Sequence, residues 1–149
     1  MTFDQENMID VVSPIINRER ISPNGFEDWR DNLAEWQRHG LKHTSEEIYV
    51  SLEWLKACRL SAKVNRNETS YGLKHQVEYA TGVYVCNGAF LIAAYLAPGV
   101  TVEKSPWRED GKCSLNGFLN IATKGRPPAI PPYGRALLAS ARARHASVG

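Results

Sequence analysis

Between Lys56 and His75 the chain carries Lys56, Arg59, Lys63, Arg66 and Lys74 against a single acid, Glu68. Such a cluster can neutralise phosphates, and each contact gives affinity that falls with salt. Ser70, Tyr71 and the free amides at the start of the helix expected there add hydrogen bonds for phosphate oxygens. A second basic group, Lys124, Arg126, Arg135, Arg142 and Arg144, has no acid among or after it. It reads as a cationic arm for nucleic acid or an acidic protein face, or as a solubilising end without a partner. Residues 69–96 hold two short helical segments around Gly82, the layout of a helix-turn-helix. The second segment is too apolar to touch base edges, so a buried helical hairpin is expected. Tyr84 and Asn87 at its N-terminal end are the side chains left to reach a nucleic acid.

Catalytic patterns are sparser. His39 and His43 stand four apart, the spacing of two metal ligands on one helix face, but Gly40 falls between them where a helix should end, and no third ligand is evident. Cys86 and His75 could pair as nucleophile and base. No orienting acid or oxyanion loop supports that pairing, and Glu78 sits at i+3 from His75 as a simple surface partner would. There is no P-loop, no G-x-S-x-G, no paired C-x-x-C and no dinucleotide fingerprint. No catalytic residue, metal ligand or cofactor is assigned. Among the aromatics, Trp29 and Trp36 fit a helix core, whereas Trp107 lies in a polar loop and is expected to contact a protein partner. The P-x-x-P match at residues 128–131 reads as a semi-rigid spacer.

The elements that must position these groups are mainly helical. Phe26, Trp29, Leu33 and Trp36 predict an amphipathic helix with acids on its other faces and Gly40 as its C-cap. Thr44-Ser45-Glu46-Glu47 has the form of a capping box, with Thr44 as N-cap and Glu47 reaching back, followed by the stripe Ile48, Leu52, Leu55 and Cys58. Residues 61–68 read as a polar connection. Thr69 or Ser70 caps a third helix that buries Leu73, Val77 and Ala80 and ends at Gly82; Asn87 caps a fourth, apolar almost all round and placed at the centre of the core. Residues 100–102 and 115–122 predict a small β-hairpin. The first twenty residues carry weak patterns broken by Pro14.

The expected architecture is therefore a compact, mainly α domain of four to five helices over residues 1–123. It has a central buried helical hairpin, a small β-hairpin near its C-terminal side, and residues 1–20 weakly ordered. Residues 124–149 form a Pro-rich, basic tail. The 149 residues suit one domain. Charge is divided, with a balance of −5 over residues 1–47 and +7 over residues 48–149. Three cysteines without close pairing argue against a disulfide framework or structural zinc. No apolar run suffices to span a membrane, and the acidic N-terminus lacks the form of a secretory signal, so a cytoplasmic protein is expected. Two functions follow as expectations. One is a nucleic-acid-binding or regulatory module contacting phosphates through Arg59, Lys63, Arg66, Ser70, Tyr71, Lys74, Asn87, Arg135, Arg142 and Arg144. The other is a protein-interaction adaptor or inhibitor using the acidic helix and Trp107.

Overall fold

A computed structural model describes residues 5–27, 31–106 and 114–130. Trp29, Trp107, Cys113, Arg135, Arg142 and Arg144 lie outside the described residues. The described chain is mainly α with a small β component, as expected. It comprises α1 (Gln5–Glu19), β1 (Ile21–Ser22), β2 (Gly25–Phe26), α2 (Asn32–His39), α3 (Leu41–Ala57), β3 (Leu60–Asn65), α4 (Ser70–Thr81), α5 (Asn87–Leu96), β4 (Val102–Lys104) and β5 (Gly117–Ile121).

Helix α5 is the centre of the core. Ala89 through Ala94 have no accessible surface, and the helix packs most extensively on α3, then on α4, α1 and the β1–β2 ribbon. Gly88 is what lets the ribbon approach: a Cβ there would stand 1.9 Å from the Ser22 carbonyl oxygen. Helix α1 forms where weak order was expected. Met8, Val12, Ile15 and Ile16 recur at helical spacing and are buried, while Pro14 stays on the exposed face.

Phe26 does not begin the acidic helix. It is buried in β2, paired with Ile21 and edge-on to Tyr95. Helix α2 starts six residues later in the chain, capped by Asp31, whose side chain accepts the Ala34 amide at 3.1 Å. Trp36 is buried and donates its indole N–H to the Ile21 carbonyl at 2.9 Å.

The capping box at Thr44 does not form either. Gly40, at φ 104°, already turns the chain, and α3 begins at Leu41. Thr44 is inside the helix, donating its hydroxyl to the Gly40 carbonyl, and Glu47 points into the protein. The stripe Ile48, Leu52, Leu55 and Cys58 is buried as expected.

Residues expected as a polar connection form β3. It pairs antiparallel with β5, which pairs antiparallel with β4 on its other side, giving the order β3-β5-β4. The β4–β5 pairing is the predicted hairpin. Helix α4 is as expected, with Thr69 accepting the Gly72 amide and Gly82 in the left-handed region at φ 74°. Cys86, rather than Asn87, caps α5: its Sγ accepts the Ala89 amide at 3.4 Å. Beyond β5, Arg126 turns inward, bonding the Glu68 carboxylate, Gln76 and the Ala122 carbonyl, and the Ile130 amide donates to Tyr79 on α4 at 2.8 Å. Among the described residues no helix is long and apolar enough to cross a membrane.

Candidate functional site

A pocket of about 610 Å³ opens where the end of α2, the first turns of α4, the start of α5 and the Pro23–Asn24 turn converge. His39 enters from α2, and Tyr71, Lys74 and His75 from α4. Tyr84, Cys86 and Asn87 supply the wall leading into α5; Leu115 and Asn116, just before β5, complete it. No carboxylate lines this pocket among the described residues.

The acids stand behind the wall. Glu78 has no accessible surface; its Oε1 lies 2.6 Å from His75 Nδ1, and its Oε2 accepts the Val85 amide at 3.1 Å and Lys74 Nζ at 3.4 Å. It is thus not the surface partner of His75 suggested by the i+3 spacing. Lys74, itself buried, places Nζ 4.9 Å from the Tyr71 ring centre and 5.2 Å from that of Tyr84. His75 is edge-on to Tyr71 at 4.6 Å. With Glu78 as acceptor at Nδ1, His75 Nε2 is the nitrogen left to exchange a proton or hydrogen bond with a ligand. On the opposite wall Glu47, also buried, sets Oε2 2.6 Å from His39 Nε2 and accepts the Cys86 amide on Oε1 at 2.6 Å.

Asn87 fixes the floor. Its Nδ2 faces the Asn24 carbonyl at 3.0 Å, the Leu115 carbonyl at 3.2 Å and Asn116 Oδ1 at 3.1 Å. Turning the amide over would aim oxygen at three acceptors, so its orientation is determined. Its Oδ1 is buried without a hydrogen-bond partner among the described residues.

Electrostatics separate the candidate chemistries. Burial, and then the Glu47 carboxylate, push the Cys86 thiol well above its usual range. A nucleophilic thiol needs the reverse shift, so Cys86 and His75, although they line one pocket, are not arranged as an activated pair. Burial also pushes the Tyr84 phenol up to about 12, helped by Cys86, Glu47 and Glu78, which keeps it a hydroxyl donor.

The predicted phosphate contacts divide into groups. Tyr71, Lys74 and Asn87 meet at the pocket, together with His39 and His75, which sequence reasoning had not joined to them. Ser70 is fully buried; its hydroxyl accepts the Gly117 amide at 3.1 Å and joins α4 to β5 rather than facing an outside phosphate. Arg59 and Lys63 are exposed at β3 and do not line the pocket. Arg66 makes a two-pronged pair with Glu103 on β4 at 3.0 and 2.8 Å. Arg126 is a half-buried anchor, bound to Glu68 and Gln76. His39 does not form a metal-ligand pair with His43; the cluster that assembles is His39, Glu47 and Cys86, with donor atoms within 4.8 Å of one another. The sequence carried no local sign of Glu47 in this role, because its partners come from other elements; for Glu78 the spacing to His75 was visible, but its burial and its bond to the Val85 amide beyond the helix end were not.

Comparison of the chain with protein-family models, with curated proteins and with solved structures finds no match.

Proposed function

We propose that the protein binds a small phosphate-bearing molecule in the pocket between α2, α4 and α5. One observation carries this reading: the wall presents Lys74, His39 and His75, with no acid among the described residues lining it, while the balancing carboxylates Glu47 and Glu78 are withdrawn behind it. The Asn24 and Asn116 amides and two phenols add neutral hydrogen-bonding groups, and the N-terminal end of α5 contributes the positive end of its dipole. The phosphate role expected of Tyr71 and Lys74 is then exercised inside a pocket, whereas the Asn87 amide nitrogen is taken up by the pocket floor. His75, oriented by Glu78, is the group placed to move a proton to or from the bound molecule.

Nucleic-acid binding along the surface is the second reading, favoured by the exposure of Arg59 and Lys63. One pair of titrations separates the two. Calorimetry with inorganic phosphate and with a nucleoside monophosphate should show binding that weakens about tenfold in His75→Ala, as expected for losing a charge-assisted hydrogen bond. It should be unchanged in Lys63→Glu/Arg66→Glu. Absence of phosphate binding, with a mobility shift of mixed-sequence DNA that the double variant abolishes, would replace the pocket reading with the surface one.

A further inference from the structure

We infer that His39, Glu47 and Cys86 form a site for a divalent transition metal of the zinc class, open to the pocket. The imidazole nitrogen, a carboxylate oxygen and the thiol sulfur lie within 4.8 Å of one another. They come from three elements: the last residue of α2, the second turn of α3 and the residue that caps α5. Nitrogen, oxygen and sulfur donors are the set zinc takes, and three protein ligands with one open position are the pattern of a catalytic rather than a structural site. The open side exists here, because His39 and Cys86 line the pocket while Glu47 lies behind them.

Two of the ligands are already oriented by outer hydrogen bonds and the third by a ring contact. Cys86 Sγ accepts the Ala89 amide at 3.4 Å, Glu47 Oε1 accepts the Cys86 amide at 2.6 Å, and the His39 ring is set edge-on to Trp36 at 5.8 Å. The Cys86 thiol stands beside the same Glu47 carboxylate that His39 meets, so a single ion can reach all three donors. Bonds of about 2.0–2.3 Å to a tetrahedral ion hold ligand atoms roughly 3.5 Å apart. Uptake would therefore spread His39 and Glu47 from their 2.6 Å contact. It would also send the thiol proton to solvent and move the proton between His39 and Glu47 to Nδ1 or to solvent.

The inference stands apart from the phosphate reading, since the metal is titrated without phosphate and phosphate can be titrated into chelator-treated protein. The test uses the full chain, stripped of metal and kept reduced, titrated with Co²⁺ and then competed with Zn²⁺. One Co²⁺ per chain is expected, with visible bands of tetrahedral intensity and a thiolate-to-cobalt charge-transfer band in the near ultraviolet. That band should vanish in Cys86→Ser and survive in Cys58→Ser and Cys113→Ser. His39→Gln, at the end of α2, should weaken cobalt binding and carries the test if Cys86→Ser fails to fold. A wild-type chain with no tetrahedral spectrum would overturn the site, as would a charge-transfer band that persists in folded Cys86→Ser or cobalt binding that His39→Gln leaves unchanged.

Discussion

Glu47 on α3 accepts the backbone amide of Cys86, 39 residues further along, at 2.6 Å, and with its other oxygen meets His39. One buried carboxylate thereby ties the body of α3 to the end of α2 and the start of α5, the two elements that line one side of the pocket.

Replacing Glu47 by alanine leaves the Cys86 amide without its acceptor in the interior and His39 without its partner. Loss of one member of a buried charged network costs about 3–5 kcal/mol. Urea denaturation of Glu47→Ala should show a loss in that range, and Glu47→Gln, which keeps an amide acceptor, a smaller one.

Gly88→Ala should destabilise the fold although it adds a single methyl group. The new Cβ would come 1.9 Å from the Ser22 carbonyl oxygen and 2.9 Å from Trp36 Cζ2, and the first of these is backbone. Overpacking of this kind typically costs about 1–3 kcal/mol, and the upper end is expected here. Thermal unfolding measures it; an unchanged Tm would mean that the β1–β2 ribbon does not sit on α5.

The Arg126 guanidinium beside Glu68 holds its carboxyl below the usual value of 4.5. A carboxyl lowered in the folded state binds protons more readily when unfolded. Its stabilisation is therefore present above pH 4.5 and is lost as pH falls through the lower folded value. Arg126→Met should remove about 2 kcal/mol at neutral pH, the scale of hydrogen bonds to charged groups. It should also flatten the acid limb of the stability profile.

Burial pushes the Cys58 thiol from 9.0 up to about 11, and Cys86 is raised as well. For Cys58 that is about a hundredfold less thiolate at pH 8. In metal-free native protein both thiols should react slowly with a disulfide reagent, and rapidly once denaturant is added. Because Cys58 ionises more easily when unfolded, it should subtract from stability as pH rises above 9.0.

How far the sequence disclosed this structure depended on whether the deciding contacts were local. Helix α4 was legible at both ends because Thr69 and Gly82 act within one turn of themselves. Helix α5 was legible because a segment apolar on every side has nowhere to lie but the core. The start of α3 was misread because Thr44 and Glu47 have the spacing of a cap, while Gly40 turns the chain earlier and distant amides recruit Glu47. Acids on helices read as solvent-facing unless something buried needs them, and for Glu47 and Glu78 those groups are Cys86, His39 and Val85. Strand β3 did leave a trace: Leu60-Ser61-Ala62-Lys63-Val64-Asn65 alternates apolar and polar residues, a period of two masked by its polarity. The pocket itself had no pattern in the chain, since its walls come from residues 23–24, 39, 71–87 and 115–116.

The strand order β3-β5-β4 has a consequence for how the molecule is made. The middle strand is the last to be synthesised, so during translation β3 and β4 wait with the edges that β5 will join unpaired. A nascent or truncated chain that stops short of residue 117 has its helices but no strand to unite those edges, and open edges invite pairing with other chains. The last segment of the sheet is thus also its keystone, and chains cut before it are the ones most exposed to aggregation and proteolysis.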